Sequence, residues 1–248
     1  MDEAFDRRQL EAAYRIHYLI EARPQAFRGV SRIMPDGNMA YLDIAALRAT
    51  PVKTDPYDYL VVPEFVRAET FSGVVGDYPS VPGPGSHPLP ELSIRGHFKG
   101  MLDELNGPDF RHAIEDKFGI DLQARPTMFT VRGECRASDG KIHTDSVTKL
   151  ITVLLYMNEK WDKDGGRLRI LRNGTDLGDY AEEVPPHGGT LLVFRRSEKS
   201  WHGHEPFHGP RRAVQMNWVT DKSVVAREEG RHRISTTIKK LNPFRKAS

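Results

Sequence analysis

Residues 139–160 read DGKIHTDSVTKLITVLLYMNEK, and most of the architecture can be worked out from them. The run from Ser146 onward is rich in β-branched and aromatic residues, the composition of a strand. At its start His143 and Asp145 stand two apart. In extended chain, residues i and i+2 point to the same face, so an imidazole and a carboxylate converge while Thr144 faces away. That is a chelating arrangement.

Working outward, similar short β-rich runs recur on both sides: TMFTVRG from Thr127, GRLRILR from Gly166, GTLLVF from Gly189 and RRAVQMNWV from Arg211. Clusters of Gly, Pro, Asp and Asn separate them. Short strands at regular spacing argue for an antiparallel double sheet or jelly roll. The preceding part of the chain is helical in character. EFVRAETFSGVVGDY has helical spacing of Phe65, Ala68, Phe71 and Val75, and HFKGMLDELNG and PDFRHAIEDKFG follow, the latter with Pro108 at a start position and Gly119 at a stop position. The expected fold is therefore mainly β with flanking helices: a double-stranded β-helix (jelly roll) core, with N-terminal helices packed on the major sheet.

Elsewhere the reading is coarser. Residues 3–22 read as a docking helix that Pro24 stops, and residues 28–56 read as irregular. PSVPGPGSHPLP, from Pro79 to Pro90, is too rich in proline for a helix or central strand and is a surface loop, either lining a site or serving as a connector. The expected organisation is residues 1–50 as an N-terminal helix and irregular extension, 51–221 as the catalytic domain and 222–248 as a basic tail.

Composition narrows the classes. With 38% hydrophobic and 28% charged residues the chain has the make-up of a globular protein, and no apolar run reaches the roughly 20 residues of a membrane span. The start MDEAFDRRQL lacks a basic-then-apolar secretory pattern, and a single cysteine, Cys135, excludes internal disulfides and Cys-pair metal sites, so a cytoplasmic location is expected. Any transition metal must be held by His and carboxylate. The net charge is +2, yet residues 222–248 carry eight Lys/Arg against two Glu. That tail has a small apolar stripe of Ile234, Ile238 and Leu241, so a weak contact with a membrane surface is one reading and docking on the domain is the other. No nucleic-acid partner is expected.

A third ligand must join His143 and Asp145, and WHGHEP supplies His202, 57 residues after the aspartate. His204 shares its face and is the rival. Two histidines and a carboxylate leave open coordination positions, as in the facial triad of non-haem iron oxygenases. In GPRRAVQMNW an arginine then enters a strand where a dicarboxylate would need a cation. Arg211 facing inward puts Ala213, Gln215 and Asn217 on the same side and sends Val214, Met216 and Trp218 outward; Arg212 is the alternative. Lys149 and Arg136, beside the metal motif, read as solvated charges.

Taken in order, HTD, LITVLLYMNEKW, GGRLRIL, EVPPHGGTLLVF and WHGHEPFHGPRRAVQMNW resemble the catalytic core of the prolyl 4-hydroxylase-like 2-oxoglutarate and Fe(II)-dependent oxygenases, most strongly over residues 128–221. The resemblance implies a 2-oxoglutarate-dependent dioxygenase, a hydroxylase, using Fe(II), 2-oxoglutarate and O2, with ascorbate as a candidate reductant. It implies His143, Asp145 and His202 as catalytic iron ligands, Arg211 as the partner of the 2-oxoglutarate 5-carboxylate and Tyr156 as its hydrogen-bonding neighbour. Related halogenases lack the carboxylate, so an intact Asp145 favours hydroxylation. The resemblance leaves the substrate open, whether a small molecule or peptide-like. A catalytically silent metal-binding jelly roll acting as a sensor is the alternative, but it has no need of Arg211 and Tyr156.

Overall fold

A computed structural model describes residues 40–227 of the chain. The expected helix over residues 3–22 and the tail from residue 228 onward lie outside the described residues. Among the described residues nine strands form two antiparallel sheets: β1 (Tyr59–Val62), β2 (His87–Pro88), β3 (Thr127–Cys135), β4 (Lys149–Tyr156), β5 (Leu168–Leu171), β6 (Tyr180–Val184), β7 (Leu191–Arg195), β8 (His202–Gly203) and β9 (Gly209–Val219). The larger sheet has the order β1-β7-β4-β9-β3-β2 and the smaller the order β6-β5-β8.

Alternation explains how the sheets pack. In β4, Ile151, Val153 and Leu155 join one core cluster, while Tyr156 joins another. In β9, Val214, Met216 and Trp218 join the first and Ala213 the second; in β7, Leu191 and Val193 separate in the same way from Leu192 and Phe194. The first cluster is covered by helices. It takes Phe98, Met101, Leu102 and Leu105 from α3 (Gly96–Leu105) and Phe110, Ala113, Ile114 and Phe118 from α4 (Pro108–Phe118). The second lies between the sheets, where Leu168, Ile170 and Val184 of the smaller sheet meet the larger one. The central strands are thus apolar on the helix side and mixed on the other, the side open for chemistry.

Two shorter helices precede these: α1 (Ile44–Ala49) and α2 (Ala68–Gly76). The first falls where the sequence reads as irregular, because six residues are too few to display a helical period. Asp43 caps it, donating no proton but accepting from the Ala46 backbone N–H, and Leu42 and Leu47 are buried in the helix-side core. The chain from residue 40 is therefore part of the folded core, not an extension ending at residue 50. The signals around α4 act as expected: Pro108 opens it and Gly119, at φ 59°, closes it in the left-handed region.

The Pro-rich segment is a loop with a two-residue strand, β2, at the edge of the larger sheet. Pro88 there has no ladder N–H to lose. No helix of the described residues is long and apolar enough to cross a membrane.

The junction of helices and sheet is centred on Phe110, which is fully buried and stacked on Trp218 with ring centroids 6.0 Å apart. We expect Phe110→Ala to cost about 3–5 kcal/mol, the usual result of emptying an aromatic site in a core. Chemical denaturation measures it; a loss below about 1 kcal/mol, the level of volume-conserving swaps, would mean that the helix is not part of the cooperative core.

Candidate metal centre

The two histidines of the motif are brought together by the backbone. His143 N donates to His202 O and His202 N donates to His143 O, each at 3.0 Å, a narrow antiparallel bridge outside the regular ladders. It sets the imidazoles side by side, with ring centroids 4.3 Å apart. Asp145 completes the group: one ligating atom from each of His143, Asp145 and His202 lies within 4.8 Å of the other two. His204 is not in this group. It lies two residues on, with its backbone N–H on Gly140 O at 2.9 Å.

The ring protons are directed by the chain itself. His143 Nδ1 is 2.8 Å from Lys141 O and His202 Nδ1 is 2.9 Å from Ser200 O. A carbonyl only accepts, so both Nδ1 atoms carry the proton and both Nε2 lone pairs remain for a metal. Burial, with the neighbouring His143 assisting, lowers the pKa of His202 to about 4 against the opposing pull of Asp145, so its ring is neutral at physiological pH. Burial alone would raise the Asp145 pKa, but the Lys149 ammonium and the hydrogen bonds from Lys149 and Thr152 outweigh it and leave the carboxyl below its usual range. Two imidazoles with their Nε2 atoms free and a carboxylate are the donor set that a divalent transition metal needs, so these residues fit Fe(II).

Both oxygens of Asp145 are engaged. Lys149 Nζ donates to Oδ1 at 2.7 Å and Thr152 Oγ1 donates to Oδ2. Lys149 is therefore not the solvated charge that the sequence suggested; its side chain is 16% exposed. A register shift between Lys149 and Ile151, opposite β9, is the reason. Leu150 and Ile151 both pack toward the helix-side core, so the parity changes and Lys149 joins Thr152 and Leu154 on the site side.

A cavity of about 170 Å³ adjoins the triad, and Arg211 reaches into its wall. Arg211 is 5% exposed, donates from Nε to Gly166 O at 2.7 Å, and has Nη2 at 3.5 Å from the Tyr156 hydroxyl. Gly166 serves as an acceptor at φ 77°, and an added Cβ would lie 2.8 Å from the Trp161 ring, so a side chain there is both strained and obstructed. Tyr156 is fully buried behind the arginine in the inter-sheet core. Arg212 points the other way and lies over the Tyr78 ring, 5.2 Å from guanidinium carbon to centroid. Gln215 and Asn217 share the Arg211 side and line the cavities, while Val214, Met216 and Trp218 enter the helix-side core.

Sequence reasoning passed over several residues at the site. Thr152 and Arg132 have a signal, since each follows the alternation of its strand: Thr152 with Tyr156, Arg132 with Thr130 and Met128. Arg132 donates to Asp139 at 2.7 Å and to Ser86 Oγ at 3.1 Å, tying the Pro-rich loop to the cavity wall. That loop therefore lines the site and is not a plain connector. Arg136, read like Lys149 as a solvated charge, is exposed, and only its backbone N–H takes part here, donating to Asp139.

The buried histidines give the metal-free protein a definite pH response. Burial depresses His204 as well as His202 to about 4, whereas an unfolded chain takes up these protons near 6.5. The stabilisation is complete above about pH 6.5 and is lost as the pH falls toward about 4, on the order of 3 kcal/mol for His202. We expect the melting temperature of metal-free protein to drop steadily over that window and His204→Gln to make the drop shallower; a flat profile would contradict the buried, neutral state of these rings.

Residues 134–220 match the model of the 2OG-Fe(II) oxygenase superfamily. No curated protein matches the chain. Among solved structures, the chain is similar to a Pseudomonas putida prolyl-4-hydroxylase, with 17% identity over 73% of this chain and 97% of that one and a TM-score of 0.49. It is likewise similar to prolyl 4-hydroxylases from Phytophthora capsici, with 17% identity, 79% and 70% coverage and a TM-score of 0.49. A prolyl hydroxylase from Trichoplax adhaerens, in complex with a hypoxia inducible factor oxygen degradation domain peptide fragment, gives 15% identity, 91% and 98% coverage and a TM-score of 0.44. His143, Asp145, His202 and Arg211 all lie within the residues that match this family model.

Proposed function

We propose that the protein is a hydroxylase that couples decarboxylation of 2-oxoglutarate to succinate and CO2 with oxidation of a substrate C–H bond, with His143, Asp145 and His202 as iron ligands and Arg211 as the clamp for the 2-oxoglutarate 5-carboxylate. The observation that carries this reading is the state of Arg211. A guanidinium cannot lose its charge, and burying it costs heavily unless an anion is near. Its neighbours are the Gly166 carbonyl and the Tyr156 hydroxyl, and among the described residues no carboxylate forms an ion pair with it. The other cations of the cavity are different: Lys149 is paired with Asp145 and Arg132 with Asp139. Arg211 alone among these three awaits an anion from outside, and a bidentate carboxylate matches its fork.

The division of labour follows. Fe(II), when bound, supplies activation of O2 with 2-oxoglutarate as the electron donor. The chain orients and excludes. Lys141 and Ser200 carbonyls hold the histidine rings in the ligating tautomer, and Thr152 holds the carboxylate. Arg211, buried and backed by Tyr156, sets the direction of the co-substrate, and burial makes a charge-assisted pair there strong.

Two measurements test the assignment. His202→Ala is expected to abolish Fe(II) binding by calorimetry and succinate release, while His204→Ala retains Fe(II) binding; the reverse pattern would transfer the third ligand to His204. Arg211→Ala is expected to weaken 2-oxoglutarate binding on the order of 100-fold, the effect of truncating one member of a buried charge pair, with Fe(II) affinity nearly unchanged. An unchanged 2-oxoglutarate affinity, or a defect confined to Arg212→Ala, would remove Arg211 from the role.

A further inference from the structure

A second cavity, about 500 Å³, opens from the metal face; Ser86, Thr130, Thr148, Gln215 and Asn217 bound it, and Lys149 and Arg227 add two cations to its lining. Both cavities share His143, Asp145 and Gln215, so whatever occupies the larger one lies against the metal centre. Its only large apolar lining side chains among the described residues are Met128 and Val224, and none of those residues is Phe, Tyr or Trp.

The orientation of one wall group is fixed by the metal-binding carboxylate. An ionised Asp145 only accepts, so the Thr152 hydroxyl must donate to it. The Thr152 oxygen is then the acceptor for Asn217 Nδ2 at 2.8 Å, which turns Asn217 Oδ1 toward Gln215 Nε2 at 3.1 Å. Each step removes one amide orientation, and the last leaves Gln215 Oε1 as an acceptor at the cavity.

We propose that the substrate is a small polyhydroxylated molecule of sugar or cyclitol type, one hydroxyl of which donates to Gln215 Oε1 beside the metal. The proposal rests on the oxygenase reading above for the place of the substrate and goes beyond it in naming the class. Hydroxyl groups both donate and accept, as do the Ser and Thr side chains of this wall, so a polyol satisfies them in either sense. A peptidyl prolyl ring does not. It has no N–H to offer Gln215, its ring is all C–H, and it would strip water from hydroxyl and amide groups without replacing their hydrogen bonds.

The test uses the full chain loaded with Zn(II) and 2-oxoglutarate, so that binding is read without turnover, and saturation-transfer NMR with D-glucose, D-glucuronate and myo-inositol against an acetylated Pro-Gly peptide. Binding of at least one polyol and not of the peptide is expected. Gln215→Met is expected to weaken that binding at least tenfold and Gln215→Glu, which keeps an outward oxygen, to retain a measurable part, both at a native melting temperature. Binding of the peptide alone, binding of neither probe set, unchanged polyol binding by Gln215→Met, or equal loss in both variants would overturn the proposal. Failure of the oxygenase reading is a separate result: no succinate release by iron-loaded wild-type protein, with or without the polyol that the NMR detects.

Discussion

The pair of backbone hydrogen bonds between His143 and His202 is the constraint on which the site depends. It links the segment before β4 of the larger sheet to β8 of the smaller one. Because the same two residues carry the imidazoles, the strand pairing and the metal geometry are one event: a residue-wide slip would separate the sheets at this end and turn one ring away from the other. The ring carbonyl partners, Lys141 O and Ser200 O, each lie two residues before their histidine, so the local chain that forms the bridge also sets the tautomer.

The two faces of the larger sheet are built to opposite purposes. On the helix side, the apolar residues of β4, β7 and β9 meet α3 and α4 and hold the strands rigid. On the other side, the same strands present Thr152, Arg211, Gln215 and Asn217, polar groups whose positions are accurate because the opposite face is immobilised. The hydrogen-bond chain from Gln215 through Asn217 and Thr152 to Asp145 crosses from β9 to β4 on this face. Rigid strands, not loops, thus carry the groups whose orientation matters.

Much of this was legible in the sequence for one reason: alternation survives where strands are regular. That Arg211, Gln215 and Asn217 share one side and Val214, Met216 and Trp218 the other follows from parity along β9, although parity by itself leaves Arg212 as the alternative. Parity fails at Lys149, because the bulge before Ile151 puts two successive residues on one side. It is also silent at Ser86, in a proline-rich loop with no period, and at α1, too short to display one. His202 and His204 have equal standing by parity, and the bridge to His143 distinguishes them only in three dimensions, since hydrogen-bond partners 59 residues apart leave no local trace.

The charges of the site fall into an order that the chemistry requires. Arg132 and Asp139 neutralise each other at the wall, and Lys149 pairs with Asp145. A divalent ion held by Asp145 would compete with the Lys149 ammonium for the carboxylate, and the lysine, on a long flexible stem at the end of its strand, is the group able to yield. Thr152 cannot yield in this way: it is 1% exposed, its β-branched side chain is stiff, and its strand is paired on both sides. The carboxylate therefore keeps its orientation through Thr152 whether or not Lys149 remains in place. Lys149 and Arg211 both line the smaller cavity, and two cations on one wall make it favourable to a dianionic co-substrate.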